Sequence, residues 1–369
     1  METLLKESDR LQKTYSIFCL AETLREKSLY LQALRNFEKA LKGYISLRDS
    51  NGIFSALLAL GDTYRMTGNF DRAADRYAEA IDLARELKSP VLVTDAMVGL
   101  GLSLRAQGDW KGALRNIETA YKIYARKEDR EGVAFTLWAK AGTLRIKGSI
   151  PEAILTFRES RKAFQSLKDE NGYGYCLCGL GGASRIAGRF KDSLKYYMAA
   201  NRLFSGMKDT FGTAYSYCGM GNAHRMLGDY KTAFAYFGKA TRLYEKIGDI
   251  VSYSYTLWGL ATGHKMLGDY LKAVLYMNKA MANFRKTKDP RGIIYCRLGF
   301  GEIAILTGKK TLAKRHLESA LNESAAYGFA VEKCYAETLT QMLSGKADNS
   351  CYKRLGLRLR FRALPLNIP

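Results

Sequence analysis

Tyr215-Ser216-Tyr217-Cys218-Gly219-Met220-Gly221-Asn222-Ala223-His224-Arg225-Met226-Leu227-Gly228-Asp229-Tyr230, followed by Ala233, Phe237 and Ala240, is the stretch that decides the fold. Forty residues upstream or downstream the same pattern returns. Gly68, Gly108, Gly148, Gly188, Gly228, Gly268 and Gly308 stand forty apart. So do Ala73, Ala113, Ala153, Ser193, Ala233, Ala273 and Ala313, and behind them Ala80, Ala120, Ser160, Ala200, Ala240, Ala280 and Ala320. Ala33 and Ala40 mark one more copy near the start. A fixed period of this length means stacked units, none of which buries its apolar face alone. By length the 369 residues would suggest two or three domains. The repeat overrides that prior, because a stack grows without linkers.

Each unit reads as two helices. In the central copy the first is expected from about Phe211 to Leu227 and the second from about Tyr230 to Ile247. Asp9, Asp49, Ser89, Asp129, Asp169, Asp209, Asp249 and Asp289 precede the first helices and can accept their orphan amide hydrogens. The glycine column ends each first helix, where a left-handed residue is wanted. Asn69, Asp109, Ser149, Asp229 and Asp269 can cap the second helices, whereas Arg189 and Lys309 break that pattern. Small residues at Gly61, Gly101, Gly181, Gly221, Ala261 and Gly301 permit close helix approach. Tyr77, Ile117, Phe157, Tyr197, Phe237, Met277 and Leu317 fill the space between.

Gly228-Asp229-Tyr230 with Ala233, Phe237 and Ala240 resembles the tetratricopeptide repeat, whose usual unit is 34 residues. The forty-residue unit is similar to the long-helix branch found in cytosolic adaptors and some bacterial regulators. The resemblance spans roughly residues 10 to 328, eight units. It implies an all-α, right-handed solenoid whose first helices line a concave groove. It leaves function open, because the family hosts many binding roles. The expected division is an eight-repeat solenoid over 1–328, a capping helix over 329–345 and a basic tail over 346–369.

Ser344-Gly345-Lys346-Ala347-Asp348-Asn349-Ser350 reads as a polar hinge before that tail. Cys351 to Arg362 then alternates apolar and basic residues, a strand period. Two readings stand: a disordered basic tail, or an extended segment that docks on a partner or on the chain's own groove. A basic tail would also suit an anionic membrane surface.

Net charge is +22 and the pI about 9.6. The imbalance favours anionic partners, namely nucleic acid, acidic peptide segments or an anionic membrane face; the plain alternative is a solvated surface. No run of 18 apolar residues occurs, so no membrane-spanning helix is expected. Met1 to Asp9 is too polar for a signal peptide. The seven cysteines are odd in number and lie mostly in helical pattern. They read as free thiols in a reducing, cytoplasmic compartment.

At 100° per residue, Tyr215, Cys218, Gly219, Asn222 and Met226 share one face of the central first helix, with Arg225 flanking it. The Tyr215 column runs Tyr15, Ser55, Asp95, Phe135, Tyr175, Tyr215, Tyr255, Tyr295 and Tyr335. The Cys218 column includes Trp138, Cys178 and Trp258. The Arg225 column runs Arg25, Arg65, Arg105, Arg145, Arg185, Arg225 and Lys265 before Ile305 ends it. One reading is a cationic ladder beside an aromatic ladder in the groove, with arginine forks for carboxylate or phosphate. The plain reading is packing: rings lying over Gly179, Gly219, Gly259 and Gly299, and guanidinium groups paired with turn carbonyls or with Asp109, Asp229 and Asp269.

His224 and His264 share a column but lack further ligands for a metal, so they read as core histidines. Cys178 and Cys218 share a face about 9 Å apart, too far for a disulfide. Gly308-Lys309-Lys310-Thr311 lacks the first glycine of a phosphate-binding loop. No nucleophile, base and orienter converge, and neither cofactor nor catalysis is expected. The function expected is a non-enzymatic interaction scaffold. It would hold an extended acidic or amphipathic partner segment on Arg65, Arg105, Arg145, Arg185, Arg225, Lys265, Phe135, Trp138, Tyr175, Tyr215, Tyr255, Trp258 and Tyr295. Single-stranded RNA is the alternative guest, bases on rings and phosphates on arginine. Asp62, Asp95 and Glu302 interrupt the groove and count against it.

Overall fold

A computed structural model describes residues 2–345 and 348–369. Met1, with which the signal-peptide reading begins, and Lys346 and Ala347 of the expected hinge lie outside the described residues. Eight helical hairpins follow one another from α1 (Glu2–Glu26) and α2 (Tyr30–Leu47) to α15 (Pro290–Leu306) and α16 (Lys310–Tyr327). Helix α17 (Ala330–Leu343) and a five-residue helix α18 (Ser350–Arg354) complete the order, and no strand occurs among the described residues. The central pair is α11 (Thr210–Met226) and α12 (Tyr230–Ile247). The protein is an all-α, right-handed solenoid.

The caps are only partly those expected. Asp49, Asp129, Asp169, Asp209, Asp249 and Asp289 each accept a backbone N–H at the start of a first helix. Asp9 does not, because α1 begins upstream of it. Ser89 makes no cap hydrogen bond; Pro90 opens that helix instead. Among the second helices, Asp109, Asp229 and Asp269 cap, whereas Asn69 and Ser149 do not. The seven column glycines all adopt φ between 73° and 98°. The N–H of each such turn returns to the helix, as in Gly228 N–H to Arg225 O (3.1 Å) and Asp229 N–H to His224 O (3.0 Å).

In three repeats one large side chain is seen wedged between two first helices. A Cβ at Gly61 or at Gly99 would come within 3.0 Å of the Tyr77 ring. Tyr197 sits in the same way between Gly181 and Gly219, and Phe237 between Gly221 and Gly259. The glycines at 179, 219, 259 and 299 are therefore covered by Phe157, Tyr197, Phe237 and Met277 of the second helices. The tyrosine column does not lie over them, contrary to the packing alternative. The reason is geometric: the second-helix ring enters from behind, opposite the concave face.

Winding brings successive turns of the superhelix into contact. Gly68 abuts Val251 and Thr287, Gly108 abuts Tyr327 and Pro290, and Gly148 abuts Ala330. Trp110 donates its indole N–H to the Tyr327 carbonyl (2.9 Å), and Lys288 pairs with Asp71. Each glycine turn thus meets the start of a first helix about four and a half repeats later. The concave face becomes an enclosed channel rather than an open groove. At the next turn, Gly188, no helix arrives. The tail takes that place, with Arg358 N–H donating to Ala187 O (3.0 Å).

The tail is neither disordered nor a strand. After α18, Leu357 and Leu359 are buried while Arg358, Arg360 and Arg362 face solvent. The alternation is real, but its apolar half lies on the solenoid instead of on a membrane or a sheet. Asn349 secures the bend, bonding both the N–H (2.7 Å) and the carbonyl (3.0 Å) of Phe361. Tyr352 is fully buried and bonds Thr338 and the Cys334 carbonyl. Beside it Cys334 and Cys351 form a disulfide, their Cα atoms 5.7 Å apart. The expectation of seven free thiols fails at this pair, which only the folding-back of α18 on α17 brings together. Cys19, Cys176, Cys178, Cys218 and Cys296 are free.

Two outcomes test this account. Gly228 and Gly108 both have left-handed backbones, but only Gly108 touches the next turn. Gly228→Ala should cost about 1–2 kcal/mol for the backbone alone, and Gly108→Ala should lower the melting temperature further. Equal losses would mean the turns do not bear on each other. In non-reducing peptide mapping of the native protein, Cys19 should alkylate readily while Cys334 and Cys351 stay linked.

Candidate functional site

The last turn of each first helix from α3 to α13 ends in the basic column, Arg65, Arg105, Arg145, Arg185, Arg225 and Lys265. A cation suits a helix C-terminus, where carbonyl dipoles converge. The superhelix turns all six residues inward, but their surroundings divide them into two sets.

The first set faces open space. Arg65, Arg105, Arg145 and Arg185 line one cavity of about 330 Å³ with Tyr215, Tyr255, Trp258 and Tyr295. A second cavity of about 480 Å³ continues it past Phe135, Trp138 and Tyr175, sharing Arg65, Arg105, Arg145 and Tyr215. Arg65 contacts Asp62, at 3.4 Å, and Arg25 reaches the same carboxylate at 3.7 Å. Among the described residues no carboxylate lies within ion-pair distance of Arg105, Arg145 or Arg185. Arg185 Nε and Nη1 and Arg145 Nε are buried without hydrogen-bond partners. The Arg105 guanidinium packs over the Trp138 ring, 5.8 Å from its centroid. Burial, and then the charges of Arg145 and Arg65, push its pKa down to about 10. Asp109, Asp229 and Asp269, suggested as partners of the column, are turned to the helix starts they cap and, at Asp229 and Asp269, to His224 and His264.

The second set is already engaged. Arg225 is fully buried and donates Nη2–H to the Ile368 carbonyl (2.9 Å) and to Asn222 Oδ1 (3.2 Å). Its Nη1 donates to Asn367 Oδ1, and Asn367 Nδ2–H returns a bond to the Arg225 carbonyl (2.8 Å). Its guanidinium lies over Trp258, 5.4 Å from the ring centroid. Burial and the neighbouring Arg185 hold its pKa down near 9. Lys265 pairs with buried Glu302 and also donates to the Leu366 carbonyl (2.7 Å). Glu302 accepts the Leu366 N–H. The expectation of a free cation therefore fails at Lys265, paired with a carboxylate of its own chain, and at Arg225, covered by the tail.

The aromatic column divides similarly. Phe135 is exposed, stacked on Trp138 at 5.6 Å. Tyr175, Tyr255 and Tyr295 are tied down through their hydroxyls to Asp209 (3.2 Å), Asp289 (2.9 Å) and Glu332 (2.8 Å). Trp258 is buried and donates to the Tyr295 carbonyl (3.3 Å). Tyr215 stacks on Phe211 at 6.2 Å. His224 and His264 are half-buried rather than core, each beside an aspartate and stacked on a neighbouring ring.

Asn222 was visible on the concave face. Leu366, Asn367 and Ile368 were not legible as site residues, because their role depends on where a non-repeating segment folds. Glu302 was visible only as an interruption of the column.

The buried pair gives a double-mutant test. Lys265→Met alone or Glu302→Gln alone should destabilise by about 3–5 kcal/mol, since each leaves an uncompensated buried partner. The double variant should recover part of that loss. Additive losses in chemical denaturation would show that the two charges do not compensate each other.

No helix of the described residues is long and apolar enough to cross a membrane. Comparison with curated protein sequences gives no match. Solved structures with the same fold include a Rap protein complexed with competence and sporulation factor, at 16% identity and TM-score 0.61, covering 95% of this chain and 98% of that one. A Rap conjugation gene regulator of plasmid pLS20 with the Phr* peptide matches at 12% identity and TM-score 0.65, covering 87% and 96%. NprR with its cognate peptide NprX matches at 12% and 0.60, covering 90% and 88%. A tetratricopeptide repeat model matches residues 11–86, 92–166 and 176–246, more than half of the sequence. With its helix pairs, glycine turns and wedged rings, the chain belongs to the tetratricopeptide repeat family.

Proposed function

We propose that this protein is a non-enzymatic scaffold that holds an extended acidic segment of a partner protein inside its central channel. Arg105, Arg145 and Arg185 carry the charge recognition, with Arg65 at the end of the row. Phe135, Trp138, Tyr175 and Tyr215 supply contact surface. The observation behind this reading is the row of guanidinium groups on one cavity, three of them without a carboxylate of their own chain. Like charges one helix pair apart raise each other's energy in a partly dry space, and an anionic guest with repeating carboxylates relieves that cost. The structurally similar Rap conjugation gene regulator and NprR were solved with bound peptides, which fits a guest of this kind.

RNA is the less favoured guest. Base stacking needs free ring faces, but Tyr255, Trp258 and Tyr295 are fixed by hydrogen bonds and ring contacts.

Fluorescence anisotropy with a labelled acidic octapeptide and a single-stranded RNA of equal charge tests the reading. The peptide should bind, and Arg145→Glu with Arg185→Glu should weaken it at least about tenfold, about 1.4 kcal/mol. Helical content should be unchanged. Unaltered affinity in that variant, or tighter RNA binding with a steep salt slope, would overturn the proposal.

A further inference from the structure

The tail does more than close the fold, because its contacts are those of a bound peptide. Lys265 and Glu302 meet both main-chain groups of one residue, the carbonyl and N–H of Leu366. Such a pair reads an extended backbone without regard to side chain. Arg225 then reads the next two residues, through the Asn367 amide and the Ile368 carbonyl. The Asn367 contact is reciprocal, since its Nδ2–H donates back to the Arg225 main chain. Leu366 and Ile368 are 1% and 3% exposed, so apolar side chains flank the polar one on both sides. Arg225 has no carboxylate in this seat, only carbonyl and amide oxygens and the Trp258 face. The seat therefore suits a neutral segment, unlike the bare arginine row beside it.

We infer that Arg225, Lys265 and Glu302 form a second peptide-binding site in the channel. It takes a neutral extended segment of the pattern apolar–Asn–apolar, and residues 366–368 occupy it as a ligand supplied by the chain itself. The root of this ligand is fixed by the Cys334–Cys351 disulfide and the buried Tyr352, so its local concentration is high and an external segment must compete with it. Pro369 borders the cavity of the arginine row. A guest long enough to pass beyond Arg185 meets the tail there. This last step rests on the acidic-guest reading; the seat itself does not.

The test uses the full chain and a labelled peptide copying residues 362–369, acetylated and amidated. The wild-type protein should not bind it detectably, because the seat is filled. Ile368→Asp should unseat the internal segment and let the peptide bind. Changing the peptide's asparagine to alanine, or adding Arg225→Ala to the protein, should weaken binding at least about tenfold. Equal binding to the wild type and to Ile368→Asp, or none to a folded Ile368→Asp protein, would overturn the inference. Should Ile368→Asp fail to fold, hydrogen exchange on the gentler Asn367→Ala variant decides. Residues 363–369 should lose protection while α9 (Glu170–Ile186) and α11 keep theirs, and unchanged protection of the tail would refute the seat. The acidic octapeptide run in parallel separates the two proposals. Capture of the tail peptide without any binding of the acidic one would leave this seat standing and remove the arginine-row reading.

Discussion

The wedging of one large side chain between two glycine-bearing helices is the constraint on which the architecture depends. Tyr77, Tyr197 and Phe237 each fill a gap that a single added methyl group on either flank would close. Close packing of this kind fixes the rotation from one repeat to the next, because interiors tolerate neither voids nor overlap. A small fixed rotation, repeated eight times, sets the pitch of the superhelix. The pitch sets where Gly68, Gly108 and Gly148 land, against helix starts about four and a half repeats later. The channel is therefore a consequence of side-chain volumes deep inside the repeats, not of the residues that line it.

That enclosure changes the chemistry of the basic column. On an open surface six cations would be hydrated and nearly independent. Inside a channel they lose water and sense one another, which is why Arg105 and Arg225 hold their protons less firmly than usual. The protein meets this cost in three ways along one line of residues. Arg65 leans on Asp62, Lys265 on Glu302, and Arg225 on the neutral oxygens of the tail. Arg105, Arg145 and Arg185 have none of these remedies and keep their demand for a counter-charge.

Between residues 351 and 369 the tail carries five of the 58 basic residues and keeps them out of the channel. Its leucines pack inward while Arg358, Arg360 and Arg362 stay in water. The same alternation would have suited a membrane surface or a sheet edge. A covalent bond between Cys334 and Cys351, together with Asn349 at the bend, holds it to the solenoid instead.

The sequence by itself determined the repeat, the helix pairs, the glycine turns and the inward-facing basic column, because each arises from contacts within a repeat or between neighbours and so recurs every forty residues. One flank of the wedge was legible, as Gly221 and Phe237 stand in register with Gly181 and Tyr197; that the same ring also covers the next repeat's glycine was not. Only the tertiary structure decided that the groove closes into a channel, that Cys334 meets Cys351, and that Arg225, Lys265 and Glu302 receive Leu366, Asn367 and Ile368. Those contacts join residues that belong to no common period, and their geometry is the sum of many small rotations, which no local pattern encodes.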